Sequence, residues 1–185
     1  MRDPLRTVVG IAAVAAPLLH IATDLMEWRQ GGFSDAQLWL NYLAFLPMPW
    51  LLLGIHAVHE PRPAAYGLAG ALLYGAAFTY FAFTTLYAIA DGFPDYATLW
   101  QWTGTTYTVH GGLMIAGGAL FGIAVLRAAQ LPPAATWLFL AGLAANLAAA
   151  LLPLPETTQM IGSTVRNFGL AGMGYAILRH GRRQA

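Results

Sequence analysis

Six long apolar segments dominate this sequence and limit what it can fold into. They cover residues 7–26, 37–58, 65–90, 105–128, 134–154 and 158–178. A helix needs about 20 mostly apolar residues to cross a lipid bilayer, and each segment reaches that length. We therefore predict an all-α integral membrane protein, a bundle of six transmembrane helices that forms one domain over residues 1–185.

The placement of arginine predicts the orientation of this bundle. The nine cationic residues are all Arg, and positive charge favours the cytoplasmic side of a membrane. With the N-terminus inside, the cytoplasmic ends hold Arg2, Arg6, Arg62, Arg127, Arg179, Arg182 and Arg183. Only Arg29 falls in an outer loop, and Arg166 falls within a segment. We predict both termini in the cytoplasm. The use of Arg without Lys, together with the Ala, Gly and Pro usage, suggests a GC-rich bacterial genome, so we expect the protein in a bacterial inner membrane.

The first segment resembles a signal peptide in position but not in pattern. Its apolar run continues past the small residues Ala13, Ala15 and Ala16, so we interpret it as a retained helix.

Composition excludes several classes of function. The chain is 58% hydrophobic and 9% charged, too few charges for the surface of a soluble domain. A net charge of +1 leaves no basic face for nucleic acid. The absence of Cys excludes thiolate chemistry, and the absence of Lys excludes a Schiff base. Because the loops are short, any activity must lie within the bundle or at its rims.

Polar side chains from five of the six segments fall at one depth in the predicted outer half. With a rise of 1.5 Å per residue, His20 and His110 would lie about 8–10 Å below the outer boundary, and Asn146 and Arg166 about 12 Å below it. Polar groups in hydrocarbon are costly and therefore need a partner or a function. We expect a polar cavity here, with candidate site residues His20, Asp24, Glu27, Asn41, Tyr87, Trp100, Tyr107, His110, Asn146, Glu156, Arg166 and Asn167.

The spacing of the charged residues suggests roles for some of them. His20, Asp24 and Glu27 follow an i, i+4, i+7 pattern that puts them on one helical face. One carboxyl group would serve as proton donor while Arg166 holds another ionised, and His20 or His110 would relay the proton. We predict these five as catalytic residues and the other candidates as ligand-binding residues.

Prolines predict irregular backbone near the same level. Pro47 and Pro49 lie near the centre of the second segment, and Pro17 lies one turn before His20 in the first. Each proline removes a helical hydrogen bond and frees a carbonyl four residues earlier. The outer loop 91–104 contains Trp100 and Trp102 and is a candidate lid.

Four interpretations remain open. In the plainest, an Arg166–Asp24 ion pair clamps the first and last helices, and the other polar groups join helices by hydrogen bonds. In the second, the protein is an intramembrane enzyme that acts on an isoprenoid-like or lipid-like substrate by acid–base chemistry. This layout resembles the small membrane-bound terpene cyclases, which are compact helical bundles that use carboxylates.

The third interpretation is a haem or metal protein. His20 and His110 would ligate haem, or would bind Zn or Fe together with Asp24 and Glu156.

The fourth is a solute-binding, transport or accessory subunit, which resembles in size and topology the substrate-binding components of vitamin-uptake transporters. Gly118 and Gly122 on the fourth segment form a glycine-rich face that would pack within the chain, or against a second copy or a membrane partner. No pattern identifies a cofactor or a substrate.

Overall fold

The computed structural model describes residues 4–59 and 63–183, apart from the side chains of Glu156 and of residues 180–183. The described chain contains helices and no strand. The helices are α1 Pro4–Gln30, α2 Asp35–Phe45, α3 Met48–Ala57, α4 Ala65–Asp91, α5 Tyr96–Thr103, α6 Thr105–Ala128, α7 Pro133–Leu151 and α8 Glu156–Arg183. The prediction of an all-α protein is confirmed. The side chains of Arg2, Arg62, Arg182 and Arg183, used to predict orientation, lie outside the described part.

Five helical stretches are long and apolar enough to cross a membrane. They are α1, the α2–α3 stretch Asp35–Ala57, α4, α6 and α7. The chain is therefore a multi-pass membrane protein by length and composition. The helix α8 has 28 residues but is less apolar, since its centre holds Arg166 and Asn167.

The long helices close into a ring in the order α1, α2–α3, α4, α6, α7 and α8, and α8 packs back against α1. The short helix α5 lies where α1, α4 and α7 end and where α2, α6 and α8 begin; we call this the α5 end. There Leu99 of α5 packs in a small apolar cluster with Leu38 and Ala88. The α5 end is therefore covered by a packed helix instead of an open loop.

Glycines allow neighbouring helices to approach closely. A methyl group added to Gly142 of α7 would lie 2.3 Å from the Arg166 backbone nitrogen of α8. The glycine face of α6 packs within the chain, because Gly118 meets Leu143 and Gly122 meets Leu140, both on α7. The packing interpretation of these two glycines is confirmed.

The second apolar segment is broken at its prolines. Helix α2 ends at Phe45 and α3 begins at Met48. The Leu46 N–H still donates to the Tyr42 carbonyl at 3.1 Å, and the Leu51 N–H donates to the Pro47 carbonyl at 2.9 Å. Phe45, the last residue of α2, is buried in the core of the bundle.

Candidate functional site

The Asp24 carboxylate on α1 has a partner at each oxygen. The Ser163 hydroxyl on α8 donates to Oδ2 at 2.7 Å. Nε2 of His20, one turn earlier on α1, lies 3.4 Å from Oδ1. The Asp24 side chain is 16% exposed and that of His20 is 8% exposed. Asp24 is thus the more accessible member of this group.

Arg166 lies deeper and is surrounded by neutral groups. It is 3% exposed. Its Nη1 donates to Asn146 Oδ1 at 3.2 Å and to the Met114 sulfur at 3.1 Å, and its Nη2 donates to the Ser163 hydroxyl at 3.4 Å. The guanidinium carbon lies 5.6 Å from the centre of the Phe78 ring. Arg166 therefore extends from α8 to α6 across the inside of the ring.

The direct Arg166–Asp24 ion pair of the plainest interpretation does not form among the described contacts. No salt bridge, taken as a nitrogen–oxygen distance within 4.0 Å, joins the two side chains. Ser163 stands between them instead, since it accepts from Arg166 and donates to Asp24. Asp24 and Arg166 interact through this hydroxyl.

Asn146 and Asn167, two of the three asparagines named from the sequence, have different surroundings. Asn146 on α7 accepts from Arg166 and donates through Nδ2 to the Gln159 carbonyl at 2.9 Å, so it links α7 to α8. Asn167 is fully buried, and neither polar atom of its side chain has a hydrogen-bond partner. Only Asn146 belongs to the network around Arg166.

A second branch of polar contacts leads from α1 to α2. The Thr23 hydroxyl lies 2.8 Å from the His20 carbonyl and 3.2 Å from Asn41 Oδ1. Gln37 lies near the start of α2, closer to the α5 end. It is fully buried, and neither polar atom of its side chain has a hydrogen-bond partner. Asn41 thus contacts this group only indirectly, through the Thr23 hydroxyl.

Tyr96 of α5 and Tyr107 of α6 cover the carboxylates at the α5 end. Their rings meet edge to face at 5.4 Å, and the Tyr107 hydroxyl donates to that of Tyr96. Burial raises the pKa of Tyr96 to about 12, the hydrogen bond from Tyr107 opposes this rise, and the negative charges of Glu27 and Asp24 add to it. The Tyr96 hydroxyl is therefore close enough to both carboxylates to respond to their charge.

Other predicted site residues lie apart from Asp24. The His110 ring stacks on Tyr80 at 3.8 Å, and its Nδ1 lies 2.8 Å from the Thr106 carbonyl. Among the described contacts of His110, none reaches His20, Asp24 or Arg166. Tyr87 stacks on Trp102 at 4.0 Å, and Trp100 is largely exposed. In the predicted lid, Leu99 and Thr103 are buried, whereas Trp100 and Trp102 are exposed.

The metal interpretation finds no support in the described part of the chain. Within it, no group of three or more His, Cys, Asp or Glu side chains could hold a metal ion. Glu156, one of the predicted ligands, has a side chain outside the described part.

Several residues of the network were not among the predicted site residues, and Ser163, Tyr96 and Met114 are three of them. Ser163 lies three residues before Arg166 on the polar face of α8, so the same helical spacing could have identified it. Tyr96 lies in an interfacial segment, and Met114 is an apolar residue that no polar pattern marks. Only the packing of α5 and α6 against the rest of the bundle brings these two to the site.

The chain matches no protein-family model, no curated protein and no solved structure. No match therefore supports the resemblance in layout to terpene cyclases or to vitamin-uptake components. The support for a function comes from the site alone.

Proposed function

We propose that this protein is a six-span enzyme of a bacterial inner membrane that performs acid–base chemistry on a lipophilic, isoprenoid-like or lipid-like substrate at Asp24. The observation that carries the proposal is the pair of contacts at its carboxylate: a histidine at one oxygen and a hydroxyl donor at the other. A carboxyl group in this position can exchange protons with side chains on two helices, and it remains partly exposed.

The helix α8 is the proposed sixth span. It packs between α1 and α7, and its polar residues Arg166 and Asn167 are buried inside the ring. Ile161, Phe168 and Tyr175, spaced by seven, are its exposed large side chains. A helix that hides its charge and shows apolar residues outward suits lipid despite its modest mean hydropathy.

The proposed orientation puts both termini in the cytoplasm and the α5 end outside. In this arrangement Arg6, Arg127 and Arg179 lie at the cytoplasmic ends of α1, α6 and α8, as the distribution of positive charge in membrane proteins favours. The Asp24 group then lies in the outer half of the bundle.

Each member of the group has a proposed role. Asp24 transfers the proton, and His20, in contact with one of its oxygens, exchanges that proton with the surroundings. Arg166 supplies positive charge and Asn146 orients it. Glu27, Tyr96 and Tyr107 close the α5 end and limit water access, which strengthens electrostatic interactions inside.

An aromatic row opposite α1 supports a lipophilic substrate. The His20 ring meets Phe45 at 4.7 Å, Phe45 meets Phe78 at 5.3 Å, and Phe78 meets Phe81 at 5.6 Å. Phe81 in turn lies 5.1 Å from Tyr107. Polar groups on α1 and α8 thus face aromatic rings on α2, α4 and α6, and π faces stabilise positive charge that develops on a hydrocarbon.

The test is to trap the substrate. Asp24→Asn keeps the shape of the side chain and removes the exchangeable proton, so purified Asp24→Asn protein should retain a lipophilic species that wild type converts. Mass spectrometry of bound lipids from both proteins measures this, with Asp91→Asn, an exposed carboxylate at the end of α4, as matched control. The same bound species in all three proteins, or none in any, would overturn the proposal.

A further inference from the structure

We propose that the lipophilic substrate carries an oxyanion headgroup, a carboxylate or a phosphate, which binds the guanidinium of Arg166 while Asp24 takes up a proton. This rests on the proposed function and adds to it the charge of the substrate and the coupling of its binding to protonation.

The guanidinium of Arg166 has unused and weak hydrogen bonds that an anion could take over. Its Nε is buried and has no hydrogen-bond partner. Of its three partners, the Met114 sulfur is a weak acceptor and the Ser163 contact is long at 3.4 Å. A buried cation with neutral partners is costly, whereas a guanidinium binds carboxylate or phosphate through two parallel hydrogen bonds. An oxyanion would thus replace weak contacts with strong ones.

Unpartnered buried polar atoms gather around the same point. His20 Nδ1 and the Tyr74 hydroxyl have no partner, and both side chains are buried. Each ring contacts Phe78, which also lies beneath Arg166: Tyr74 stacks on it at 4.9 Å and His20 meets it at 6.3 Å. Buried polar groups in native proteins are nearly always satisfied. These atoms therefore supply further donors for a ligand oxygen.

Asp24 makes the binding depend on protons. Asp24 is linked to Arg166 by the single hydroxyl of Ser163, so an anion bound to Arg166 would lie close to the Asp24 carboxylate. Two negative charges this close together repel each other, and protonation of Asp24 removes the repulsion. The titratable and charged groups nearest to Asp24 are His20 and Glu27 on α1, Arg166 on α8 and Tyr96 on α5, and Tyr107 of α6 lies beside Tyr96. Among them, Asp24 is the carboxylate that shares the Ser163 hydroxyl with Arg166.

The experiment measures binding of three probes of equal chain length to the full-length protein in detergent: dodecyl phosphate, dodecanoate and dodecanol. Inorganic phosphate alone is a fourth probe and separates a lipid headgroup from a free anion. We expect wild type to prefer one or both anionic amphiphiles over the alcohol. Their affinity should rise as pH falls, approaching tenfold per pH unit if one proton is taken up.

Variants identify the groups. Arg166→Gln should abolish the preference for anions over dodecanol, and Asp24→Asn should give tight anion binding with little dependence on pH. If Arg166→Gln does not fold, the Asp24→Asn pH profile decides alone, and an unchanged pH slope would overturn the proposal. Equal affinity of wild type for dodecanol and the anions would also overturn it. That result would leave acid–base chemistry on a neutral lipophile intact, because the trapping of substrate by Asp24→Asn does not depend on the headgroup.

Discussion

Ser163 donates its hydroxyl hydrogen to Asp24 across the contact between α8 and α1, at 2.7 Å. The same oxygen accepts a longer hydrogen bond from Arg166. This serine therefore connects the partly exposed charge of Asp24 to the deeply buried charge of Arg166, and its removal tests the connection.

Ser163→Ala should destabilise the protein by about 1.5–3 kcal/mol, because it removes a hydrogen bond to an ionised group. Thermal unfolding in detergent measures the change. Thr164→Ala is the matched control on the same helix turn and should have little effect. Equal losses from both variants would mean that Ser163 contributes only packing.

The coupling between Asp24 and Arg166 should depend on Ser163. A double-mutant cycle with Asp24→Asn and Arg166→Gln should show a coupling free energy of about 0.5–3 kcal/mol in unfolding experiments. Repeated in a Ser163→Ala background, that coupling should fall by about half or more. A coupling that stays the same in both backgrounds would show that the two charges act on each other directly.

Gly142→Ala should cost at least about 1–3 kcal/mol of stability, since the added methyl group would meet the Arg166 backbone at 2.3 Å and force α7 and α8 apart. Gly112→Ala is the control, because nothing lies within 4 Å of a methyl group there. Comparable unfolding temperatures for the two variants would contradict the close α7–α8 contact.

Tyr96 should make stability fall at high pH. Its pKa is near 10.0 when unfolded and about 12 when folded, chiefly because of burial. The unfolded chain therefore ionises first, and the stability present below pH 10.0 is lost as pH rises towards about 12. Absorbance titration should show late-ionising tyrosines, one fewer in Tyr96→Phe. A Tyr96→Phe titration identical to that of wild type would refute this placement.

His59 should weaken the fold at low pH. Its ring is buried just after α3, and its Nδ1 lies 2.6 Å from the Ile55 carbonyl. Burial lowers its pKa below 6.5, the Ile55 hydrogen bond opposes this shift, and the charge of Arg6 adds to it. The unfolded state then takes the proton first, so stability is lost as pH falls below 6.5 towards the folded pKa.

The measurement is the unfolding temperature at about pH 7.5 and about pH 5.5, values that bracket the ordinary histidine pKa. His59→Gln should reduce the loss of unfolding temperature between the two pH values. A loss of the same size in His59→Gln and in wild type would mean that His59 has no special part in the pH dependence.

Some of the site can be predicted from the sequence, and the reason is geometric. Residues three or four apart on one helix share a face, so the spacing of His20 and Asp24 is enough to group them. Depth follows from the rise per residue, which explains why Asn146 and Arg166 are expected at one level. His110 is expected at a comparable depth, yet its ring stacks on Tyr80, because depth does not fix the rotation of a helix about its axis.

The sequence by itself determined the apolar helical character of the chain, the shared helical face of His20 and Asp24 and the proline break between α2 and α3. These follow from hydropathy and from backbone chemistry, which act along one segment at a time. Only the tertiary structure decided that Ser163 separates Asp24 from Arg166, that Met114 contacts the guanidinium and that Tyr96 covers the carboxylates. Such contacts depend on how neighbouring helices are rotated and how closely they approach. Rotation and approach are set by packing between segments that lie apart in the sequence, as at Gly142 of α7, which lies against the Arg166 backbone of α8.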